Sequence, residues 1–298
     1  MQNDRILIFG RNGQVGWELC QKLTGLGDVI AVGHSEADFT RPESLRKVVR
    51  EVAPRAIVNA VAYTAVDKAE TEPELATAIN ATGPGVLAEE AARLGSLLVH
   101  YSTDYVFDGT KPKPWVETDT PNPLSVYGKT KLAGDQAIQS SGCEYLIFRT
   151  TWVYGARGSN FLLTMLRLAK ERPELRIVDD QIGAPTSSES IAEATASVLA
   201  QVLAHGSNGI KGRSGIYNMT NRGETSWFGF ARSILTRASS DFGMPVPNLI
   251  PIPTREYPTP AERPLNSRLC CQKIEDAFGV KLPHWEDALA RVFEKLEY

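Results

Sequence analysis

Residues Gly10-Arg11-Asn12-Gly13-Gln14-Val15-Gly16 directly follow the apolar run Arg5-Ile6-Leu7-Ile8-Phe9 and lead into a helix-like segment over residues 14–26. Three glycines placed between a strand and a helix have separate physical uses. The first permits a tight turn, the second lets backbone approach a pyrophosphate, and the third allows close packing of helix on strand. The free N–H groups of the helix N-terminus then face the anion. The spacing is G-x-x-G-x-x-G, one residue wider at the first gap than the commonest dinucleotide-binding form. The flanking strand and helix make the turn a dinucleotide site in a β-turn-α unit.

The alternation continues down the chain. Strands are expected at 29–32, 56–60, 97–101 and 145–150, and helices at 42–52, 83–94 and 126–139, with a Pro-rich loop at 111–123. Short apolar strands separated by helices imply a parallel sheet covered on both faces. The fold class is therefore α/β, a Rossmann-type doubly wound parallel sheet, and its ligands belong at the carboxyl ends of the strands. Residues 1–150 read as the dinucleotide-binding domain. After Thr150 the rhythm loosens, with helices expected at 161–170 and 191–203, a strand at 175–178, a Gly/Ser-rich break at 206–215 and frequent proline over 245–264. Residues 151–298 read mainly as a smaller C-terminal substrate-binding lobe, with the segment of about 179–205 packing back on the first domain. Trp285, Leu289, Val292, Phe293 and Leu296 fall at helical spacing and form a core stripe over 285–296.

Composition narrows the function. A net charge of −3 leaves no basic excess for nucleic acid, and no apolar stretch is long enough to span a membrane or form a signal-peptide core, so a cytoplasmic location is expected. Cys20, Cys143, Cys270 and Cys271 form neither a C-x-x-C pair nor a disulfide framework. His34, His100, His205 and His284 have no ligand spacing, and no catalytic metal is expected.

Tyr127-Gly128-Lys129-Thr130-Lys131 sets Tyr127 and Lys131 four residues apart, on one helix face. Alone, Y-x-x-x-K is a weak signal. Its position strengthens it, because it opens the helix after the fourth strand, and Ser102-Thr103-Asp104 ends that strand. A phenol is a poor acid–base catalyst at neutral pH unless an ammonium stabilises its phenolate, a role open to Lys131. Thr103 would hydrogen-bond a substrate carbonyl, Tyr127 would protonate it and a nicotinamide would deliver hydride, which amounts to ketone reduction. The second strand runs into Gly33-His34-Ser35 without a carboxylate. With Arg11 in the glycine turn, NADPH is expected to bind at least as well as NADH, while Glu36 and Asp38 a few residues on stay open as partners of the ribose.

These segments resemble the extended short-chain dehydrogenase/reductases and, within them, the dTDP-4-dehydrorhamnose reductases. The similarity is carried by Gly10 to Gly16 with Trp17-Glu18-Leu19, by Val58-Asn59-Ala60 with Tyr63-Thr64-Ala65-Val66-Asp67-Lys68, and by Tyr101-Ser102-Thr103-Asp104-Tyr105-Val106-Phe107. It continues through Tyr127 to Gly134, Phe148 to Tyr154, Asp180 to Thr186, and Pro258 to Leu269. The resemblance implies Thr103, Tyr127 and Lys131 as catalytic residues and Thr103, Asp104 and Trp152 as contacts of a dTDP-4-keto-6-deoxy sugar. Cofactor contacts are implied at Gly10, Arg11, Asn12, Gly13, Gln14, Val15, Gly16, Asp38, Phe39, Ala62, Tyr63, Thr64, Tyr127 and Lys131. Arg263 and Arg268 suit either a diphosphate or structural ion pairs. The implied activity is NAD(P)H-dependent reduction of the C4 ketone in dTDP-rhamnose and cell-surface polysaccharide biosynthesis. Epimerase, dehydratase and non-catalytic regulatory relatives share the fold. Some members hold structural Mg2+ at a homodimer contact; Glu189 matches one such ligand, whereas Gln14 and Val15 supply no carboxylate.

Overall fold

The computed structural model describes residues 4–296. β1 (Arg5–Phe9) enters the glycine turn and α1 (Gln14–Lys22) leaves it. Then come β2 (Asp28–Val32), α2 (Pro42–Val52), β3 (Ala56–Asn59), α3 (Val66–Ala69), α4 (Pro73–Thr77), α5 (Gly83–Leu94), β4 (Leu97–Thr103), α6 (Val126–Ser140) and β5 (Tyr145–Thr150). The remainder holds β6 (Val153–Tyr154), α7 (Phe161–Glu171), β7 (Glu174–Val178), β8 (Ile182–Gly183), β9 (Thr186–Ser187), α8 (Ser188–Ala204) and β10 (Gly215–Asn218). The last elements are β11 (Thr225–Ser226), α9 (Trp227–Phe242), β12 (Asn248–Ile252), α10 (Gln272–Phe278) and α11 (Trp285–Phe293).

Six parallel strands form the main sheet in the order β10-β5-β4-β3-β1-β2. Chain direction across the sheet reverses between β1 and β3, so the carboxyl ends of these strands open a crevice there. The period of two along each strand feeds two cores. Ile6 and Ile8 join Val58, Val99 and Phe148 on one face, while Leu7 and Phe9 join Ile57, Leu98 and Ile147 on the other. A third core, with Leu162, Leu166, Phe230, Ile234 and Trp285, lies under α7, α9 and α11.

The chain returns to the sheet after residue 150. α8 contributes Ile191, Val198 and Leu199 to the core that holds Leu19 and Leu23, and β10 pairs with β5 as the sixth strand. A four-residue strand behind a Gly/Ser-rich break carries too little periodic signal to be read from sequence. α9 went unread although Phe230, Ala231, Ile234, Leu235 and Ala238 form its buried face. Within the Pro-rich stretch, β12 pairs in parallel with β7 in a sheet of only two strands, where Pro251 is tolerated at an edge. Among the described residues no helix is long and apolar enough to cross a membrane.

Candidate active site

The glycine turn is shaped by contacts that exclude larger residues. Gly10 has φ +90°, and a Cβ on it would lie 3.0 Å from the Ala60 carbonyl carbon; a Cβ on Gly16 would lie 2.0 Å from Gly10 O. Gly10 therefore seats the turn on the end of β3, and Gly16 lets α1 press against it. Gly13 is the N-cap of α1, no side chain caps this helix, and its first turn holds no acid. Its orphan N–H groups are free for an anion.

β4 ends at Thr103, whose Oγ1 accepts from the Tyr105 N–H at 3.2 Å. α6 starts after Ser125, whose hydroxyl oxygen accepts from the Gly128 N–H at 3.2 Å. A Cβ on Gly128 would stand 2.3 Å from Tyr105 O, so the glycine inside Y-x-x-x-K lets α6 close on the β4 turn. That closure puts the Tyr127 phenol in hydrogen-bonding reach of Thr103. Burial, with Asp104 and Asp135 nearby, pushes the phenol pKa up to about 12, although Thr103 opposes the rise.

Lys131 is fully buried, and its ammonium donates to Tyr101 O at 2.7 Å and to His100 Nε2 at 3.0 Å. It turns toward β4 rather than toward the phenol, so the expected lowering of the Tyr127 pKa is not realised in this state of the chain. Burial brings Lys131 itself down to about 8, against the pull of Asp135. His100, held well below its usual pKa by burial and by Lys131, stays neutral and keeps a lone pair for the ammonium. Asn59 Nδ2 lies 3.0 Å from its Nδ1. Below Lys131, Asp135 Oδ2 accepts from Ser102 Oγ at 2.8 Å and faces Arg149 Nε at 3.5 Å. Asn59 lies in a segment that carries the family resemblance, but its meeting with His100 and Asp135 had no sequence signal, because the three converge from three elements.

Asp104 follows Thr103. Its Oδ1 accepts from Thr103 Oγ1 at 3.2 Å, and its Oδ2 has no hydrogen-bond partner although the residue is 2% exposed. Burial raises its pKa to about 6, with the hydroxyls of Ser267, Thr103 and Thr151 as partial offsets. The Oγ1 of Thr150 is also buried and unpartnered. All of these groups except Ser267 border one cavity of about 560 Å3, together with Asn12, Gly13, Gln14, Val15, Ala62, Thr64, Tyr127, Lys131, Trp152 and Trp227. Trp152 has φ +47°, a strained value for a bulky residue. Its ring stacks on Trp227 with centroids 3.7 Å apart, and a Cβ on Gly183 would come within 2.7 Å of its Cε2. Trp227, absent from the sequence reading, also borders a second cavity of about 640 Å3 with Arg172, Arg176, Tyr257 and Arg263.

A family model described as the RmlD substrate binding domain matches residues 4–298. The chain is 49% identical over 288 residues to the dTDP-4-dehydrorhamnose reductase of Burkholderia thailandensis, covering 96% of each. It is 46% identical over 297 residues to the Escherichia coli protein of that name, covering 98% of this chain and 97% of that one. The chain belongs to the dTDP-4-dehydrorhamnose reductase family. Its fold matches the crystal structure of the Bacillus anthracis dTDP-4-dehydrorhamnose reductase in complex with NADP, with a TM-score of 0.90 and 36% identity over 99% of this chain and 100% of that one.

Several residues that the resemblance implied lie away from this cavity. Asp38 Oδ1 accepts from the Thr40 N–H and hydroxyl at 2.9 and 2.7 Å, shaping the entry to α2. Phe39 is buried edge-on against Phe9 at 5.8 Å. Tyr63 donates its hydroxyl to Glu72 at 2.7 Å, and Asn80 bonds its backbone. Arg263 pairs with Asp67 at 2.7 Å while lining the second cavity, whereas Arg268 binds Glu224 and Pro112 O. Of the two acids that follow β2, Glu36 is the one that turns to the glycine turn, where its Oε1 pairs with Arg11 Nη2 at 2.6 Å, whereas Asp38 bonds Thr40. The chain's residues do not fit a structural Mg2+. Glu189 is held by Lys295 at 2.8 Å and Lys22 at 3.3 Å, and Gln14 Oε1 accepts from Asn160, so two ammonium groups already neutralise the carboxylate. Among the described residues no cluster of three His, Cys, Asp or Glu could hold a metal ion.

Proposed function

We propose that this chain reduces the C4 ketone of dTDP-4-dehydro-L-rhamnose (dTDP-6-deoxy-L-lyxo-4-hexulose) to dTDP-L-rhamnose with NADPH or NADH. The observation that carries this reading is the meeting of Thr103, Tyr127, Lys131 and Asp104 with an uncapped glycine-turn helix in one cavity. The cavity that Gly13 borders and the uncapped N-terminus of α1 fit a dinucleotide diphosphate, and Asn12, Gln14, Val15, Ala62, Thr64 and Lys131 would hold the cofactor along the crevice. When bound, that cofactor supplies a hydride equivalent.

Thr103 orients the sugar carbonyl. Tyr127, protonated across the neutral range, donates its proton to the oxygen that becomes the C4 hydroxyl, because an alkoxide is a stronger base than a phenolate. Lys131, charged below about pH 8, compensates the phenolate left behind once its ammonium turns from Tyr101 O and His100 toward the phenol. Asp104 Oδ2 and the hydroxyl of Thr150 lack partners within the chain, so sugar hydroxyls complete them. Trp152 packs on the sugar, and Arg172 and Arg176 in the cavity beyond Trp227 take the nucleotide diphosphate. In this reading residues 1–150 bind the dinucleotide and 151–298 mainly the substrate, in a cytoplasmic enzyme able to pair as a homodimer. Loss of nicotinamide absorbance with the dTDP-4-keto sugar made in situ, and NMR of the product, tests it. Isomerised sugar without net consumption of reductant would identify an epimerase instead.

A further inference from the structure

His100 sits in the middle of the main sheet, between Asn59 on β3 and Ile147 on β5, and is fully buried. Two nitrogens approach its ring: Asn59 Nδ2 stands 3.0 Å from Nδ1, and Lys131 Nζ stands 3.0 Å from Nε2. Burial and Lys131 keep the imidazole neutral, so it carries one N–H and one lone pair. Asn59 cannot turn its amide over, because its Oδ1 accepts from the Val61 N–H at 3.1 Å. Its NH2 therefore requires the lone pair on Nδ1. A lysine ammonium has donors only, and requires the lone pair on Nε2. The ring cannot serve both. With Lys131 charged, one of the two contacts sets donor against donor. With Lys131 neutral every group is matched: Nδ1 accepts from Asn59, Nε2–H donates to the amine, and the amine donates to Tyr101 O at 2.7 Å.

We infer that His100, its tautomer fixed by Asn59, is a positioning residue that holds Lys131 against β4 as the amine and releases it toward Tyr127 as the ammonium. Lys131 borders the catalytic cavity, so solvent there supplies and removes the proton. Two other charged groups act on this lysine. Asp135, one turn on in α6, favours the ammonium, and Arg149 on β5, 3.5 Å from Asp135, offsets that pull. Neither decides which ring nitrogen of His100 carries the hydrogen. On the far side stand the Tyr127 phenol, Thr103 and Asp104. The device couples charge to place: the phenolate gains its counter-ion only in the pH range where the ring rejects the lysine. The inference rests on the reading of Tyr127 as the proton donor of a reductase.

Nitrogen-15 NMR of the full chain labelled in histidine separates a ring nitrogen that bears hydrogen from one that bears a lone pair, and the signal absent from His100→Gln identifies the ring. In wild type the hydrogen should lie on Nε2 on either side of about pH 8. Asn59→Asp keeps an acceptor for Val61, offers a carboxylate to Nδ1–H and hands the Nε2 lone pair to the ammonium. The lysine is then retained at the ring, so kcat should fall about tenfold with KM nearly unchanged, and the alkaline limb should rise by about one pH unit. A hydrogen on Nδ1 in wild type overturns the inference. So does an Asn59→Asp chain that moves the ring hydrogen yet keeps the wild-type kcat and limb. If circular dichroism shows that variant unfolded, the wild-type ring decides alone. Wild type that reduces no dTDP-4-keto sugar while its ring hydrogen lies on Nε2 overturns the reductase reading and the positioning role with it, and leaves only the tautomer.

Discussion

Asp104 and Glu90 are equally hidden, each 2% exposed, and their acidities move in opposite directions. Glu90, on α5, accepts from Arg50 at 2.6 Å, Arg93 at 2.7 Å and Arg46 at 3.2 Å, and its pKa falls to about 2. Asp104, at the end of β4, meets hydroxyls but no cation, keeps one oxygen unpartnered, and rises to about 6. Burial is common to both, so it does not mark a functional carboxylate. On the proposed function the difference lies in the partners: Asp104 borders the cavity and keeps an oxygen for the sugar, whereas Glu90 ties α5 to α2 and has all it needs.

The largest effect tests the site to which Asp104 belongs. Tyr127→Phe should lower kcat by about 10²–10⁴ while leaving nucleotide affinity nearly unchanged, as read by steady-state rates and cofactor titration. Turnover close to wild type would remove the acid from the scheme and make Asp104 merely a strained carboxylate.

Next, Asp104→Asn should cost about 10–100-fold in kcat/KM and yet stabilise the fold by about 1–3 kcal/mol at neutral pH. The sign follows from a raised folded-state pKa: the protonated form of Asp104 favours folding, and that advantage is lost as pH rises through about 6. Denaturant unfolding should therefore separate variant and wild type above about pH 6 and merge them below the ordinary aspartate pKa of 3.8. Equal separation at all pH values would defeat the assignment.

In rate profiles the same residue should give kcat/KM an acid limb near pH 6, and Lys131 an alkaline limb near pH 8. Asp104→Asn should erase the first limb and leave the second.

The smallest effect is the mirror image. Glu90→Gln should leave turnover at wild-type level and lower stability by about 1–2 kcal/mol, discounted because Arg50 and Arg93 are half-exposed. Here the folded pKa is depressed, so the stabilisation is present above the ordinary value of 4.5 and disappears as pH falls toward about 2. Loss of activity in this variant would dissolve the contrast between the two carboxylates.

The amino-acid order alone determined the strand–glycine turn–helix unit, the parallel β/α rhythm through Thr150 and the placing of Tyr127 and Lys131 on one helix face. Each is a periodicity of two, of about 3.6, or a glycine position, and such signals are local. Gly128 was visible inside Y-x-x-x-K, but the need for it became apparent only when Tyr105 O was found 2.3 Å from its missing Cβ. Tertiary structure alone decided that Lys131 faces His100, that Glu36 fills the place beside Gly33, that Trp152 stacks on Trp227 and that β10 completes the sheet. Apart from the local Glu36–Gly33 contact, these depend on partners tens of residues away in the chain. The energy of a charge or ring is set by what surrounds it in space, which no local spacing records.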